Sequence, residues 1–157
     1  MLLTVSKEPS LEDDYVDIKY RELTAPISRI MDICNQGNQT LLGEIDEKTY
    51  PIDINDVLYI EWVDDHSCIC TADKVYTSAQ TLAQLERHLD AKGFVRSSKP
   101  MLVNIHKIKW ISSILNMKLM AELTNGERIA VSRHYRNHML QKIYEIGKGQ
   151  NHENIVF

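Results

Sequence analysis

Two kinds of hydrophobic pattern alternate along the first part of the chain. A period of two predicts strands at residues 2–6 ("LLTVS") and 14–20 ("DYVDIKY"), and two more short strands within 39–54. Apolar positions three and four residues apart predict a helix at 24–37. We therefore expect residues 1–50 to form a small α+β segment.

Beyond residue 50 the strand-like runs become longer and richer in Val, Ile, Tyr and Trp. The acidic residues Asp64 and Asp65 interrupt the first run and predict a turn between two strands. Asn125-Gly126 lies between two alternating runs, which is typical of a β-hairpin. Strands are predicted within residues 56–73, 101–105 ("MLVNI"), 107–114 and 118–132.

Two amphipathic helices are predicted in the same region. The first has Ser78 as its N-cap, carries a stripe of leucines and stops at Gly93. The second has Ser132 as its N-cap and runs to Ile146. The leucine stripe consists of Leu82, Leu85 and Leu89, and the apolar side of the second helix consists of Tyr135, Met139, Leu140, Ile143 and Ile146.

Together these elements predict a mostly β protein with short helices, in which antiparallel sheets pack against each other. The regular alternation of strands and helices that a receiver or Rossmann domain needs is missing. After the segment 1–50, we expect a β-rich domain at 51–147 and a flexible tail at 148–157.

Charge is unevenly distributed along the chain. Residues 1–86 carry 6 Lys and Arg against 17 Asp and Glu, whereas residues 87–157 carry 12 against 5. This asymmetry indicates an anionic partner for the C-terminal half, although ordinary solvated surface is the alternative. With no long apolar run, no signal-peptide pattern and an odd count of 3 cysteines, we expect a cytoplasmic protein without membrane insertion.

The start of the second helix is basic. Arg133, His134 and Arg136 fall in its first turn, where the helix dipole is unfavourable to cations. Free backbone N–H groups and guanidinium groups at one helix end form an anion site, suited to nucleic-acid phosphates or guanine edges. The alternative is that both arginines form surface ion pairs.

A second basic stretch, residues 94–100 ("FVRSSKP"), precedes the strand at 101–105 and is predicted to be a loop. Pro100 restricts the residue before it to an extended conformation, which would stiffen this loop. Hydroxyl and cationic side chains of this kind suit phosphate oxygens, although a plain helix-to-strand connection is the alternative. These side chains belong to Arg96, Ser97, Ser98 and Lys99.

Metal and catalytic sites receive little support from the sequence. His66, Cys68 and Cys70 are two residues apart, so a strand would place them on one face. However, no CxxC or HExxH spacing is present, and strand cysteines are more often small core residues. No GxSxG motif or glycine-rich phosphate loop is found. We therefore expect no metal, no cofactor and no enzymatic activity.

Four pieces of the sequence, in this order, resemble the LytTR DNA-binding domain: "DVLYIEWVDDHSCICT", "TLAQLERHL", "FVRSSKPMLVNIHKIKWI" and "LTNGERIAVSRHYRNHM". They are similar in particular to short LytTR proteins of Gram-positive bacteria that lack a receiver domain. The resemblance implies packed β-sheets and a transcription regulator that binds double-stranded DNA. It also implies that loops enter the major groove at direct repeats in promoters, so that two copies, a homodimer, meet on the DNA.

Carried over by position, the resemblance implies three contacting loops. Base-reading roles fall on His66, Lys99 and His134, and phosphate contacts on Arg96, Arg133 and Arg136. The full candidate set is His66, Ser67, Arg96, Ser97, Ser98, Lys99, Asn104, Lys107, Arg133, His134 and Arg136. The chain departs from the family pattern at Pro100, where serine is common, and at "SRH", where "SRR" or "SRQ" is common.

A second hypothesis gives the acidic N-terminal half the main role. In this reading the chain is a protein-interaction regulator, whose activity is controlled by a membrane protein or another protein partner. Deleting residues 1–50 would distinguish a regulatory or dimerising module from a part of the core.

Overall fold

A computed structural model describes residues 4–11, 16–36 and 39–150, and the chain divides into two units between residues 38 and 39. In its described residues the first unit contains one helix, α1 (Ala25–Gln36), which confirms the predicted helix. Residues 4–6 and 16–20, the described parts of the two predicted N-terminal strands, are not in strand conformation. An alternating pattern needs a hydrogen-bonded neighbour to become a strand, and the described sheets include neither run.

In the described part of the chain, the second unit contains ten strands, two α-helices and four short 3-10 helices, which confirms a mostly β protein. Seven strands form one antiparallel sheet in the order β2-β1-β5-β4-β3-β7-β6, and three form a second sheet in the order β10-β9-β8. The strands are β1 (Thr40–Ile45), β2 (Lys48–Asp53), β3 (Val57–Val63), β4 (His66–Thr71), β5 (Val75–Ser78), β6 (Phe94–Ser98), β7 (Met101–Asn104), β8 (Ile108–Ser113), β9 (Leu119–Leu123) and β10 (Arg128–Val131). The helices are α2 (Leu82–Leu89) and α3 (Arg133–Gln150), and none of the described helices could span a bilayer.

The hairpin of β1 and β2 belongs to the second unit, so the boundary expected at residue 50 falls inside β2. Leu41 and Ile52 are buried in the same core as the leucines of α2, which ties the hairpin to the larger sheet. At the other end, α3 continues to Gln150, beyond the predicted start of the tail. Residues 151–157 of that tail lie outside the described residues.

Both faces of β7 are covered. Leu102 packs in the core that contains the leucines of α2, whereas Val103 packs in a second core with β8–β10 and α3. A strand buried on both faces needs consecutive apolar residues, which explains the unbroken run of this strand. The second core includes Met139 and the other predicted apolar residues of α3, so that prediction is confirmed.

The N-cap of α2 is Thr81, not the predicted Ser78. Thr81 Oγ1 accepts from the backbone N–H of Gln84, and the Gln84 side chain accepts from the N–H of Thr81. This reciprocal capping box satisfies two free donors at once. Ser78 instead ends β5, where its Oγ accepts from the N–H of Gln80.

The stretch predicted as a loop after α2 is mostly a strand. Phe94 and Val95 are both buried, in the two different cores, so β6 is covered on both faces like its neighbour β7. Gly93 directly precedes the strand and has a φ of 86°, in the left-handed region that glycine adopts readily. Only Lys99 and Pro100 remain as the turn between β6 and β7.

Candidate nucleic-acid interface

Three predicted contact segments meet at one end of the sheets. The backbone N–H of Trp62, at the end of β3, donates to the Pro100 carbonyl at 2.7 Å. The backbone N–H of Ser132, before α3, donates to the Ser97 carbonyl at 2.9 Å. These hydrogen bonds join the β3–β4 turn, the β6–β7 turn and the start of α3 into one surface. We call it the turn edge: residues 64–66, 97–100 and 132–136.

The β3–β4 turn presents His66 beside two acidic residues. Asp64 and Asp65 have φ values of 48° and 65°, as a two-residue type I′ turn requires. His66 follows directly and is half-buried. Ser67 is fully buried, and its Oγ donates to the Gln80 carbonyl at 2.9 Å. Ser67 therefore connects β4 to the segment before α2 and does not face solvent.

Arg96 is engaged inside the protein. Its Nε and Nη2 donate to Glu86 Oε2 of α2 at 2.9 and 2.8 Å, and its Nη1 donates to the Lys99 carbonyl. The fork of the guanidinium thus holds the β6–β7 turn against α2. This geometry favours a positioning role over the phosphate contact expected from the sequence, whereas Lys99 is exposed and Ser98 is half-buried.

Two further candidates lie in the interior. Ser97 is fully buried at an irregularity in the pairing of β6 with β7, and among the described residues its Oγ has no hydrogen-bond partner. Asn104 is 2% exposed, and its Nδ2 donates to the Val57 carbonyl at 2.8 Å. Its Oδ1 accepts from the N–H of His106 at 3.1 Å. Burial prevents both side chains from contacting DNA directly, so the sequence-based assignment of contacts here is corrected.

Two basic side chains at the start of α3 are exposed to solvent. Arg133 and His134 are exposed, and no acidic residue stands in the first turn. The Ser132 carbonyl accepts from the N–H groups of Tyr135 and Arg136 at 3.0 and 3.1 Å, which confirms Ser132 as the residue before the helix. The half-buried Arg136 donates from Nη2 to Ser113 Oγ at 3.3 Å.

Lys107 does not join the turn edge. It follows the far end of β7, and its carbonyl accepts from the N–H of Thr124 at 2.9 Å. The strand therefore separates Lys107 from Lys99, and the two cations that flank one apolar run lie at opposite ends of the sheet.

Several cationic side chains outside the turn edge form ion pairs within the fold. Glu122 lies within 3.9 Å of Lys109 and 3.0 Å of Arg128, and Lys142 pairs with Asp90 at 3.1 Å. Lys99 and Arg133 have no ion pair within the described ranges. The uncompensated positive charge of the C-terminal half therefore includes the turn edge, where it is offset in part by the acidic β3–β4 turn.

The cysteines of β4 are poorly suited to metal binding. Burial raises the pKa of the Cys70 thiol to about 11 and also raises the pKa of Cys68. Because the thiolate is the metal ligand, both shifts oppose coordination at neutral pH. Across residues 4–11, 16–36 and 39–150, no three His, Cys, Asp or Glu side chains are grouped so as to hold an ion.

Reasoning from the sequence missed two parts of the chain that contribute to the turn edge. Glu86 holds Arg96, but its position on α2 gives no local sign of this pairing. The loop between β8 and β9 lies beside α3 through the contact of Arg136 with Ser113. Its signal in the sequence is "ILNM", which places apolar residues around an asparagine where polar turn residues would be usual.

Comparison with known proteins is consistent with this geometry. A solved LytTr DNA-binding domain from Bacillus cereus superposes with a TM-score of 0.63, covering 67% of this chain and 96% of the other at 22% identity. Sensory transduction protein LytT of Bacillus subtilis is 26% identical over 80% of this chain and 52% of its own length. Transcriptional regulatory protein LytR of Staphylococcus aureus strain RF122/ET3-1 is 26% identical over 68% and 43%, respectively.

The chain thus spans about half the length of these curated relatives. The family model of the LytTr DNA-binding domain matches residues 47–144, from β1–β2 into α3. That range includes every segment of the turn edge. The chain belongs to the LytTr DNA-binding domain family.

Proposed function

We propose that this protein is a transcription regulator that binds double-stranded promoter DNA with its turn edge. The observation that carries the proposal is the convergence of Lys99, Arg133 and the free end of α3 on one surface of a LytTr domain. Backbone hydrogen bonds, rather than flexible loops, hold these groups in register. They are therefore ordered before DNA arrives, which lowers the entropic cost of binding.

Phosphate and base contacts have different sources on this surface. The Arg133 side chain and the backbone N–H groups of Arg133 and His134 face the backbone phosphates, which fixes the position of the protein. His66, Lys99 and His134 reach the base edges in the major groove, where each base pair presents a distinct pattern of donors and acceptors. Two copies bind repeated sites, and the protein acts in the cytoplasm.

In this proposal, residues 1–38 are a regulatory or dimerising module. Its support is apolar surface that the described residues leave in solvent, with Leu23 59% and Ile33 68% exposed. A second copy of the chain or a membrane-protein partner would cover it. Deletion of residues 1–38 should leave DNA binding measurable and change the stoichiometry on a repeated site, as seen by analytical ultracentrifugation.

The direct test is a gel shift on duplexes that the full chain selects from a random-sequence pool, repeated over a range of salt concentrations. With roughly four to six phosphate contacts, the affinity should fall with a log–log slope of about −4 to −5. An affinity that is independent of salt would contradict binding through this surface.

A further inference from the structure

The loop between β8 and β9 exposes large apolar side chains. Leu115 is 85% exposed and Met117 is 64% exposed. The strands remain paired up to Ser113 and Leu119, and the N–H of Ile114 donates to the Lys118 carbonyl at 2.9 Å. The loop is therefore closed and short, and its apolar residues are held in solvent by an ordered backbone.

The backbone of this loop is also strained. Asn116 and Met117 have φ values of 60° and 58°, in the left-handed region. Asparagine tolerates this conformation, but methionine does so at a cost that glycine would avoid. A loop selected for stability alone would carry glycine at position 117 and polar residues around it. Strain of this kind persists where side chains serve a contact.

The position of the loop extends the turn edge. Ser113, the last residue of β8, accepts the hydrogen bond from Arg136 in the first turn of α3. Leu119, the first residue of β9, pairs with Val131, directly before Ser132. We call residues 114–117 of this loop the apolar tip. The apolar tip is therefore continuous with the surface assigned to DNA.

Charge distinguishes between two partners that could contact the apolar tip, a second copy of the chain and DNA. Lys118 is exposed in the loop itself, and Arg133 and Arg136 stand on the adjoining helix. A second copy of the chain that used the same patch would bring like charges together, which is unfavourable, whereas DNA supplies the opposite charge. DNA also offers apolar surface in its grooves, including thymine methyl groups.

We propose that Leu115 and Met117 make an apolar contact with a groove of double-stranded DNA, beside the phosphate contacts of α3. This inference rests on the proposed function and adds a contact that releases no counterions. It therefore contributes affinity that does not vary with salt, in contrast to Arg133 and Lys99. Proteins that kink the duplex insert apolar side chains of this type between base steps.

The test compares the double variant Leu115→Ser/Met117→Ser with the wild type, on a duplex that the full wild-type chain selects from a random pool. We expect about a tenfold loss of affinity with an unchanged salt slope, as for removal of about 60 Å² of apolar contact. Val75→Ser is the matched control, because Val75 is 58% exposed on β5, away from the turn edge. It should bind like the wild type.

The variant Met117→Gly distinguishes the loss of a DNA contact from a loss of folding stability. Glycine relieves the left-handed strain, so the melting temperature should stay or rise while the affinity falls severalfold. A variant that is at least as stable and binds more weakly cannot owe its defect to misfolding.

Two results would overturn the inference. If the double variant binds as tightly as the wild type, while the wild type keeps its steep salt dependence, the tip makes no contact and the proposed function still stands. If sedimentation without DNA shows a wild-type dimer that the double variant abolishes, the tip is a self-association surface. A wild type that selects no duplex at all would instead reject the proposed function.

Discussion

Lys99 and Lys107 stand at the two ends of the same apolar strand, β7, in very different surroundings. Around Lys99 the structural hydrogen bonds are made by backbone groups and by the Arg96 guanidinium, and the Lys99 side chain stays in solvent. At the far end, a buried side chain, Asn104, bonds two separate backbone groups, and Lys107 follows it. The first end leaves Lys99 available to a ligand, whereas the polar side chain that closes the second end holds the fold.

This contrast shows that a basic residue beside an apolar strand is weak evidence for binding when taken alone. What matters is whether the fold already engages the cation. Arg96 makes the same point within the turn edge, because its guanidinium is bonded to Glu86 and to the carbonyl of Lys99. Of the two cations in that stretch, only Lys99 is left for a ligand.

The largest effect, on the free energy of unfolding, should come from Asn104 at the Lys107 end of β7. Asn104→Ala leaves the Val57 carbonyl and the His106 N–H without partners, so we expect a loss of about 2–4 kcal/mol in the free energy of unfolding. Asn125→Ala is the control, since Asn125 also makes two hydrogen bonds but in an exposed turn, and it should cost less than about 1 kcal/mol. Urea denaturation measures both. Equal costs would show that burial of Asn104 is not what gives it its role.

The next effect concerns the two lysines. Lys99→Ala should weaken DNA binding about tenfold, with the melting temperature changed by no more than about two degrees. Because a lysine that reaches a base edge also displaces counterions from the groove, the magnitude of the salt slope should fall by up to about 1. Lys107→Ala is the matched control and should leave both affinity and slope unchanged. Fluorescence anisotropy over a salt series gives both quantities. Should the lysines behave alike, the two ends of β7 would not differ in function.

The smallest effect tests Arg96. Glu86→Gln removes the charge that holds the guanidinium, and we expect a stability loss below about 1 kcal/mol and up to about threefold weaker DNA binding at an unchanged salt slope. Glu122→Gln, which releases Lys109 and Arg128 instead, should leave binding unaffected. A steeper slope and tighter binding by Glu86→Gln would mean that the freed Arg96 reaches a phosphate, contrary to a positioning role.

Local patterns predicted the elements well. The leucine stripe of α2, the Asn125-Gly126 hairpin and the buried side of α3 all follow from spacing within a few residues. The N-cap of α2 was misplaced because Ser78 and Thr81 are both suitable caps, and only the reciprocal bond with Gln84 distinguishes them. In their described parts, residues 4–6 and 16–20, the two N-terminal strand predictions failed because the pattern lacked a neighbouring strand.

The composition of the site was harder to predict, because exposure depends on distant parts of the chain. Ser97 looks like a phosphate donor in sequence, yet its carbonyl receives the N–H of Ser132 and its side chain is buried. Asn104 is buried against Val57, which is 47 residues away. Periodicity carries no information about such pairings, and they decide which polar residues remain in solvent.

The hydrogen bond from Ser132 to Ser97 joins an end of the small sheet to an end of the large one. The surface assigned to the operator is consequently shared between two sheets and exists only while they are docked. Occupancy by the operator would then stabilise that docking by mass action, by about 2.7 kcal/mol at a hundred times the dissociation constant. A bound operator would therefore raise the free energy of unfolding of the domain as well as occupy its surface.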